Sequence, residues 1–243
     1  MAVDLLKTGI PGLDQVLKGG LRRSSSVLIT GAPGTGKTIM ALQFIYYGAK
    51  DYGENGIFIT TEEVLEDIRQ FAKNLGMDLE SMEKQGKIFL VQKPIASLKG
   101  GLASVKGLID AIKKNNIRRV ALDSIIFFEY LYPQLDGNKM EFRRQVLMFM
   151  QQIKKAGATF MAVSERAITD LDRLTYDQMD FVFEGFIILS RVRKGSYYER
   201  VLTVAKLRGQ DHGLDVCPVT ISKEGFKVLF DQTPFSLVEQ EGN

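Results

Sequence analysis

Residues 31–38 read Gly31-Ala32-Pro33-Gly34-Thr35-Gly36-Lys37-Thr38, a glycine and then Gly-Lys-Thr after a spacer of four residues. This pattern suits a nucleoside triphosphate. Glycines let backbone N–H groups converge on phosphate oxygens with no side chain in the way. A helix opening beyond the loop adds unpaired donors and a partial positive charge. Lys37 would reach the β- and γ-phosphates, and the Thr38 hydroxyl would hold Mg²⁺. The flanks agree, with an apolar run from Ser26 to Thr30 ahead of the loop and a helical pattern from Thr38. An ordinary glycine-rich turn is the competing explanation, and the pattern together with its flanks weighs against it.

Two further stretches place acids at strand ends. Arg118 to Ser124 is a short apolar strand that delivers Asp123 at its carboxyl end. That edge of an open α/β sheet is where ligands bind, and a magnesium-nucleotide site needs such a carboxylate, usually through a water on the metal. Aspartates in this position also cap helices, so the assignment leans on the phosphate loop. Glu62 and Glu63 follow the strand Gly56 to Thr61. If that strand neighbours the loop's own strand, one of the two faces the γ-phosphate and orients an attacking water. Alternatively, Thr61 caps the next helix and the two acids fill its first turn.

Lys206 and Arg208 lie two apart on a predicted strand, so both emerge on one face. They are either a solvated edge that discourages aggregation or cations that offset charge on a phosphate of an adjacent subunit. Strict alternation would put them on the face of Leu202 and Val204, opposite Val201, Thr203, Ala205 and Leu207.

The elements that must hold these residues follow from periodicity. A short helical piece from Leu13 to Leu17, ended by Gly19-Gly20, suggests an N-terminal lid over one sheet edge. Helical spacing recurs from Val64 to Leu75, in Leu102-Val105-Ile109-Ile112 and in Phe142-Val146-Phe149-Ile153. Strands fall at Lys87 to Gln92 and Thr159 to Val163, and from Phe181 the pattern is all strand, with turns at Lys194-Gly195-Ser196 and Lys223-Glu224-Gly225. The order is βαβαβαβαβ followed by antiparallel strands. It predicts an α/β fold with a parallel core sheet flanked by helices and extended by C-terminal hairpins. One domain over 1–236 and a frayed tail over 237–243 are expected.

Composition narrows the class. With 45% hydrophobic and 25% charged residues the chain is ordinary for a soluble globular protein. A net charge of +3 is too small to argue for nucleic acid. The single cysteine, Cys217, excludes an internal disulfide, and a thiolate metal site is implausible. No apolar run approaches membrane-spanning length and the start lacks a secretory pattern, so a cytoplasmic protein without membrane contact is expected.

Taken together, Thr-Gly-Ile-Pro-Gly-Leu-Asp (8–14), the phosphate loop, Thr-Glu-Glu (61–63), Leu-Asp-Ser (122–124) and Lys-Leu-Arg-Gly (206–209) resemble the RecA superfamily, and within it the single-domain relatives of the clock ATPase KaiC. The resemblance spans about Thr8 to Phe230. It implies a RecA-like fold and a hexameric ring with ATP and Mg²⁺ between subunits. It also implies Glu62 or Glu63 as the water-activating carboxylate, and Lys206 and Arg208 acting across the interface. KaiC has two such domains where this chain has one. Its self-phosphorylating half carries a Ser-Thr pair where this chain has Asp180 and Phe181, which argues against autokinase activity, although Thr169 and Thr175 remain as hydroxyls.

Three other functions compete with this reading. Asn138-Lys139-Met140-Glu141 resembles a guanine-reading motif, but it falls ahead of a helix and ends in Glu. A DNA-dependent ATPase of recombinase or helicase type would place loops near Ser124 and Ser164 on DNA. Tyr130 and Tyr132 suit base stacking there, but residues 165–180 carry five acids against two arginines, a net of −3 that repels a phosphate backbone. A slow, nucleotide-switched module that binds an unidentified protein partner is the third.

Overall fold

A computed structural model describes residues 4–92, 102–128, 139–166 and 178–235. Tyr130, Tyr132, Asn138, Thr169, Thr175 and the tail at 237–243 lie outside the described residues.

The phosphate loop hangs between β3 (Ser26–Gly31) and α2 (Lys37–Asp51), at the middle of the molecule. Every residue of β3 is buried, as befits a parallel strand covered by helices on both faces. Helix α2 is buried almost all round, including Ile39, Met40, Leu42, Phe44 and Ile45. Such a helix packs inside the fold rather than on its surface.

The remaining elements are α1 (Leu13–Val16), β4 (Gly56–Thr60), α3 (Leu65–Asn74), α4 (Leu79–Lys84), β5 (Ile88–Gln92), α5 (Leu102–Lys114), β6 (Arg119–Asp123), α6 (Lys139–Lys155), β7 (Thr159–Ser164), β8 (Gly185–Lys194), β9 (Tyr197–Leu207), β10 (Cys217–Ser222) and β11 (Gly225–Val228). Nine strands form one sheet in the order β11-β10-β9-β8-β3-β7-β6-β4-β5. From β8 to β5 all neighbours are parallel, while β8-β9, β9-β10 and β10-β11 are antiparallel. This is the predicted parallel core extended by hairpins. Helices α2, α3 and α4 pack on one face, with Phe44, Ile68 and Leu79 against Ile29, Phe58 and Leu202. Helices α5 and α6 cover the other, with Ile109, Phe149 and Ile153 against Leu28, Leu122 and Phe160.

The N-terminal lid is a short ladder, β1 (Leu5–Leu6) with β2 (Leu21–Arg22), which periodicity did not indicate because two-residue strands carry no period. Its connecting segment closes on itself, since Thr8 donates its N–H and hydroxyl to one Asp14 oxygen at 2.9 and 2.8 Å. Arg119, fully buried at the start of β6, ties the lid down. It donates to the carbonyls of Lys7, Thr8 and Phe44 and pairs with Glu54 at 2.6 Å. Gly48 of α2 makes the room, because a Cβ there would lie 2.3 Å from the Arg119 side chain.

Two local expectations are corrected. Helix α3 begins at Leu65 with Val64 as its cap, so Thr61 does not cap it and Glu62 and Glu63 lie in the loop ahead of it. The strict alternation along β9 fails at a bulge, where Phe186 pairs with Lys206 but Ile187 pairs with Val204. The extra residue, Ala205, inverts the faces beyond it. Leu207 joins Leu202 and Val204 on the α2 side, and Lys206 shares the α6 side with Phe186.

Candidate functional site

The phosphate loop is tightly wound around one carbonyl. Ala32 O accepts from the Thr35 hydroxyl at 2.8 Å, the Thr35 N–H at 3.3 Å and Lys37 Nζ at 3.1 Å. Two glycines are required by close approach. A Cβ on Gly31 would lie 2.3 Å from the Leu189 carbonyl, and Gly36, at φ +106°, has Ile221 and Phe226 against it. Lys37 is 5% exposed. Burial lowers its pKa, while Glu165 and Asp123 pull the other way. An ammonium held dry and short of counter-charge is suited to receive an anion.

Asp123 ends β6, two strands from the loop's own strand, and still reaches across to it. The Thr38 hydroxyl donates to Asp123 Oδ2 at 2.7 Å. Burial raises the Asp123 pKa, opposed by the Thr38 hydroxyl and Lys37 and reinforced by Glu165 and Glu62. A hydroxyl and a carboxylate meeting beside a lysine are a donor set that fits a hard divalent cation.

The condition placed on Glu62 and Glu63 is not met as stated, for β7 and β6 stand between β3 and β4. Adjacency to β6 brings them in instead. Thr61 N–H donates to the Asp123 carbonyl at 3.0 Å and pins the start of the acidic loop to the end of β6. The Glu63 N–H then caps on the Thr60 hydroxyl at 3.1 Å. Loss of hydration raises the Glu63 pKa, and Asp123, Asp67, Glu62 and Glu165 raise it further. Glu63 therefore belongs to the same electrostatic cluster as Asp123.

Lys206 and Arg208 lie elsewhere. β9 runs against the parallel strands, and Lys206 sits opposite Phe186, which pairs with Leu28. That is roughly 10 Å along the strands from Gly31, with two strand spacings to cross besides. Both cations are also on the α6 side, whereas the loop opens toward α2. Lys206 is held, its Nζ donating to the Asp180 carbonyl at 2.5 Å. Burial, and then Arg208, lower its pKa. Arg208 is exposed and borders a pocket of about 240 Å³ with Ser25, Met150, Lys154 and Val182.

Three residues near the loop went unnoticed in the sequence. Glu165 follows β7 directly and acts electrostatically on Lys37, Asp123 and Glu63. The rule that found Asp123, an acid just past a strand's carboxyl end, would have found it too. Arg191 and Arg200 face each other across β8 and β9 and donate to Pro33 O at 3.0 Å and Gly34 O at 3.3 Å. Only the hairpin register brings them there.

Comparisons with known proteins bear on the family and the fold. The family model described as "ATPase: KaiC" matches residues 6–233. The circadian clock oscillator protein KaiC of Parasynechococcus marenigrum is 34% identical over 236 residues, covering 94% of this chain and 45% of that protein. KaiC of Synechococcus elongatus is 32% identical over 235 residues, covering 94% and 44%. The chain thus spans about half the length of the curated relatives it matches. A crystal structure of a KaiC-like protein from the hyperthermophilic archaeon Pyrococcus horikoshii superposes with a TM-score of 0.79 at 30% identity, covering 93% of this chain and 99% of that one. Among the described residues no helix is long and apolar enough to cross a membrane. With the family model covering nearly the whole chain and the RecA-like sheet holding a phosphate loop at its centre, this protein belongs to the KaiC family of ATPases.

Proposed function

We propose that the protein hydrolyses ATP to ADP and phosphate at the subunit interfaces of a ring oligomer. In this reading residues 31–38 bind the phosphates, and Thr38 and Asp123 hold Mg²⁺, which supplies charge neutralisation on the phosphoryl oxygens. Glu63, with Glu62 beside it, orients the attacking water and takes up its proton. Loss of hydration and the neighbouring carboxylates raise the Glu63 pKa, which suits it to take up a proton. Lys206 and Arg208 of the adjacent copy offset charge that develops on the transferred group.

The observation that carries this reading is the placement of the cations. Lys206 and Arg208 lie on the sheet edge and face opposite to their own phosphate loop, so a single copy cannot bring both halves to one nucleotide. Two copies related head to tail can, and a head-to-tail contact that closes makes a ring. A regulatory or signalling role is suggested by likeness to the clock proteins, and Asp180 and Phe181 offer no hydroxyl for self-phosphorylation.

Mixing two inactive variants tests the shared site. Arg208→Ala subunits and Glu62→Gln, Glu63→Gln subunits are each expected to be slow alone. In mixed rings some interfaces pair an intact carboxylate side with an intact cation side, and ATPase activity returns. Absence of recovery after confirmed subunit exchange would overturn the interface reading.

A further inference from the structure

The end of β7 carries two charged residues in succession that serve opposite sides. Glu165 acts on Lys37, Asp123 and Glu63, the chain's own nucleotide-facing cluster. Arg166 turns away from it. Its carbonyl accepts from the Thr30 hydroxyl at 3.2 Å, one residue before the phosphate loop. Its guanidinium passes over the Phe186 ring, 5.7 Å from the centroid, and pairs with Asp180 Oδ2 at 2.6 Å. The Asp180 side chain is only 4% exposed. The carbonyl of Asp180 takes the Lys206 ammonium at 2.5 Å. A continuous set of contacts therefore runs from the residue just ahead of the phosphate loop, through Arg166 and Asp180, to a cation on the far side of the sheet.

These contacts are suited to carry a change. A charged hydrogen bond to a carboxylate this dry is strong and directional, so a shift of Arg166 moves the Asp180 backbone with it. Arg166 also has its Nε buried without a hydrogen-bond partner among the described residues. A buried unpaired donor favours any second arrangement that satisfies it. Coupling of this kind requires an element with two arrangements that both sites bias.

We propose that Arg166 is a positioning residue that links the chain's own nucleotide site to the placement of Lys206, and thereby to the site that Lys206 completes in the neighbouring copy. The proposal rests on the interface reading of Lys206 given above. It predicts that Arg166 acts on turnover through Lys206 and has little effect on ATP affinity.

The test is an epistasis series on the full chain, reading steady-state ATPase activity and binding of a fluorescent ATP analogue. Arg166→Met keeps an apolar stem over Phe186 and removes the charge. It should lower kcat about tenfold with KM within about twofold, because such couplings are modest. Asp180→Asn should do the same, and the double variant no more than either alone. In a Lys206→Ala background Arg166→Met should change nothing. Where Arg166→Met does not fold, Arg166→Lys replaces it, with a smaller loss that must also vanish in that background. Wild-type turnover in Arg166→Met, or the same factor lost with and without Lys206, would overturn the relay alone. Full turnover in Lys206→Ala would overturn the interface reading of Lys206 and the relay with it.

Discussion

The two edges of the nine-stranded sheet differ in what they gather and in how the chain brings it there. At the carboxyl edge, β3, β4, β6 and β7 run parallel, so each delivers its last residues to one place. The result is the phosphate loop with Asp123 and Glu165 beside Lys37, and with Glu62 and Glu63 beside Asp123. At the amino edge the strands that end are β9 and β11, which run the other way, and β9 delivers Lys206 and Arg208. That edge is braced by ion pairs, with Glu184 between Arg22 and Lys154 and Glu54 between Arg23 and Arg119. One edge is thus an acid-rich cluster around a dry lysine. The other is a salt-bridged base that carries two cations away from their own phosphate loop. A parallel sheet can concentrate chemistry at only one edge, and an antiparallel return is the simplest way to equip the other.

The contrast can be broken most severely at the loop. Lys37→Ala is expected to abolish ATP binding or hydrolysis, with turnover down by about 10³-fold or more, while circular dichroism stays native. Near-normal affinity and turnover would remove the carboxyl edge from the chemistry.

Next comes the amino edge. Arg208→Ala should cut kcat by about 10³-fold and leave ATP affinity within a few-fold, the signature of a group that acts in the transition state. Equal losses in binding and turnover would make Arg208 part of a ground-state site instead.

The bracing predicts a purely structural effect. Glu54→Gln strips the fully buried Arg119 of its counter-ion and should cost about 3–5 kcal/mol in urea denaturation. Gly48→Ala should also destabilise the fold, by forcing a methyl into the Arg119 side chain. A change below about 1 kcal/mol in both would mean that the lid and the amino edge are held by something else.

A smaller effect of opposite sign is expected from Asp123→Asn. Burial raises the pKa of Asp123 in the fold, so its contribution to stability is fully present below the ordinary carboxylate range and is lost as pH rises through the raised value. At neutral pH the ionised group weighs against the nucleotide-free fold. Asp123→Asn should therefore raise stability there by on the order of 1 kcal/mol, flatten the decline of Tm with pH, and abolish magnesium-dependent turnover. A lower Tm at neutral pH would show that the Thr38–Asp123 bond outweighs the buried charge.

The least change is expected with nucleic acid. Single-stranded DNA should leave turnover within about twofold at physiological salt, given the small net charge of +3. A several-fold, salt-sensitive stimulation would restore the recombinase-type reading.

Much of this was legible in the chain. Composition and periodicity indicated the parallel core and its hairpins, and the eight residues at 31–38 announced a phosphate site without any help from folding. Those features are local. A glycine-rich turn, an apolar run and an acid at a strand end each owe their character to neighbours in sequence. What escaped was everything set by pairing. The bulge at Ala205 reverses the faces of β9, and no periodicity rule anticipates an inserted residue. Arg191 and Arg200 became neighbours of the phosphate loop through hairpin register alone. Arg119 read as the polar start of an apolar strand, yet it is buried against Glu54 and three backbone carbonyls from distant segments. The placement of Lys206 and Arg208 away from their own loop likewise depends on strand order and direction, because residues far apart in sequence meet only where the sheet lets them.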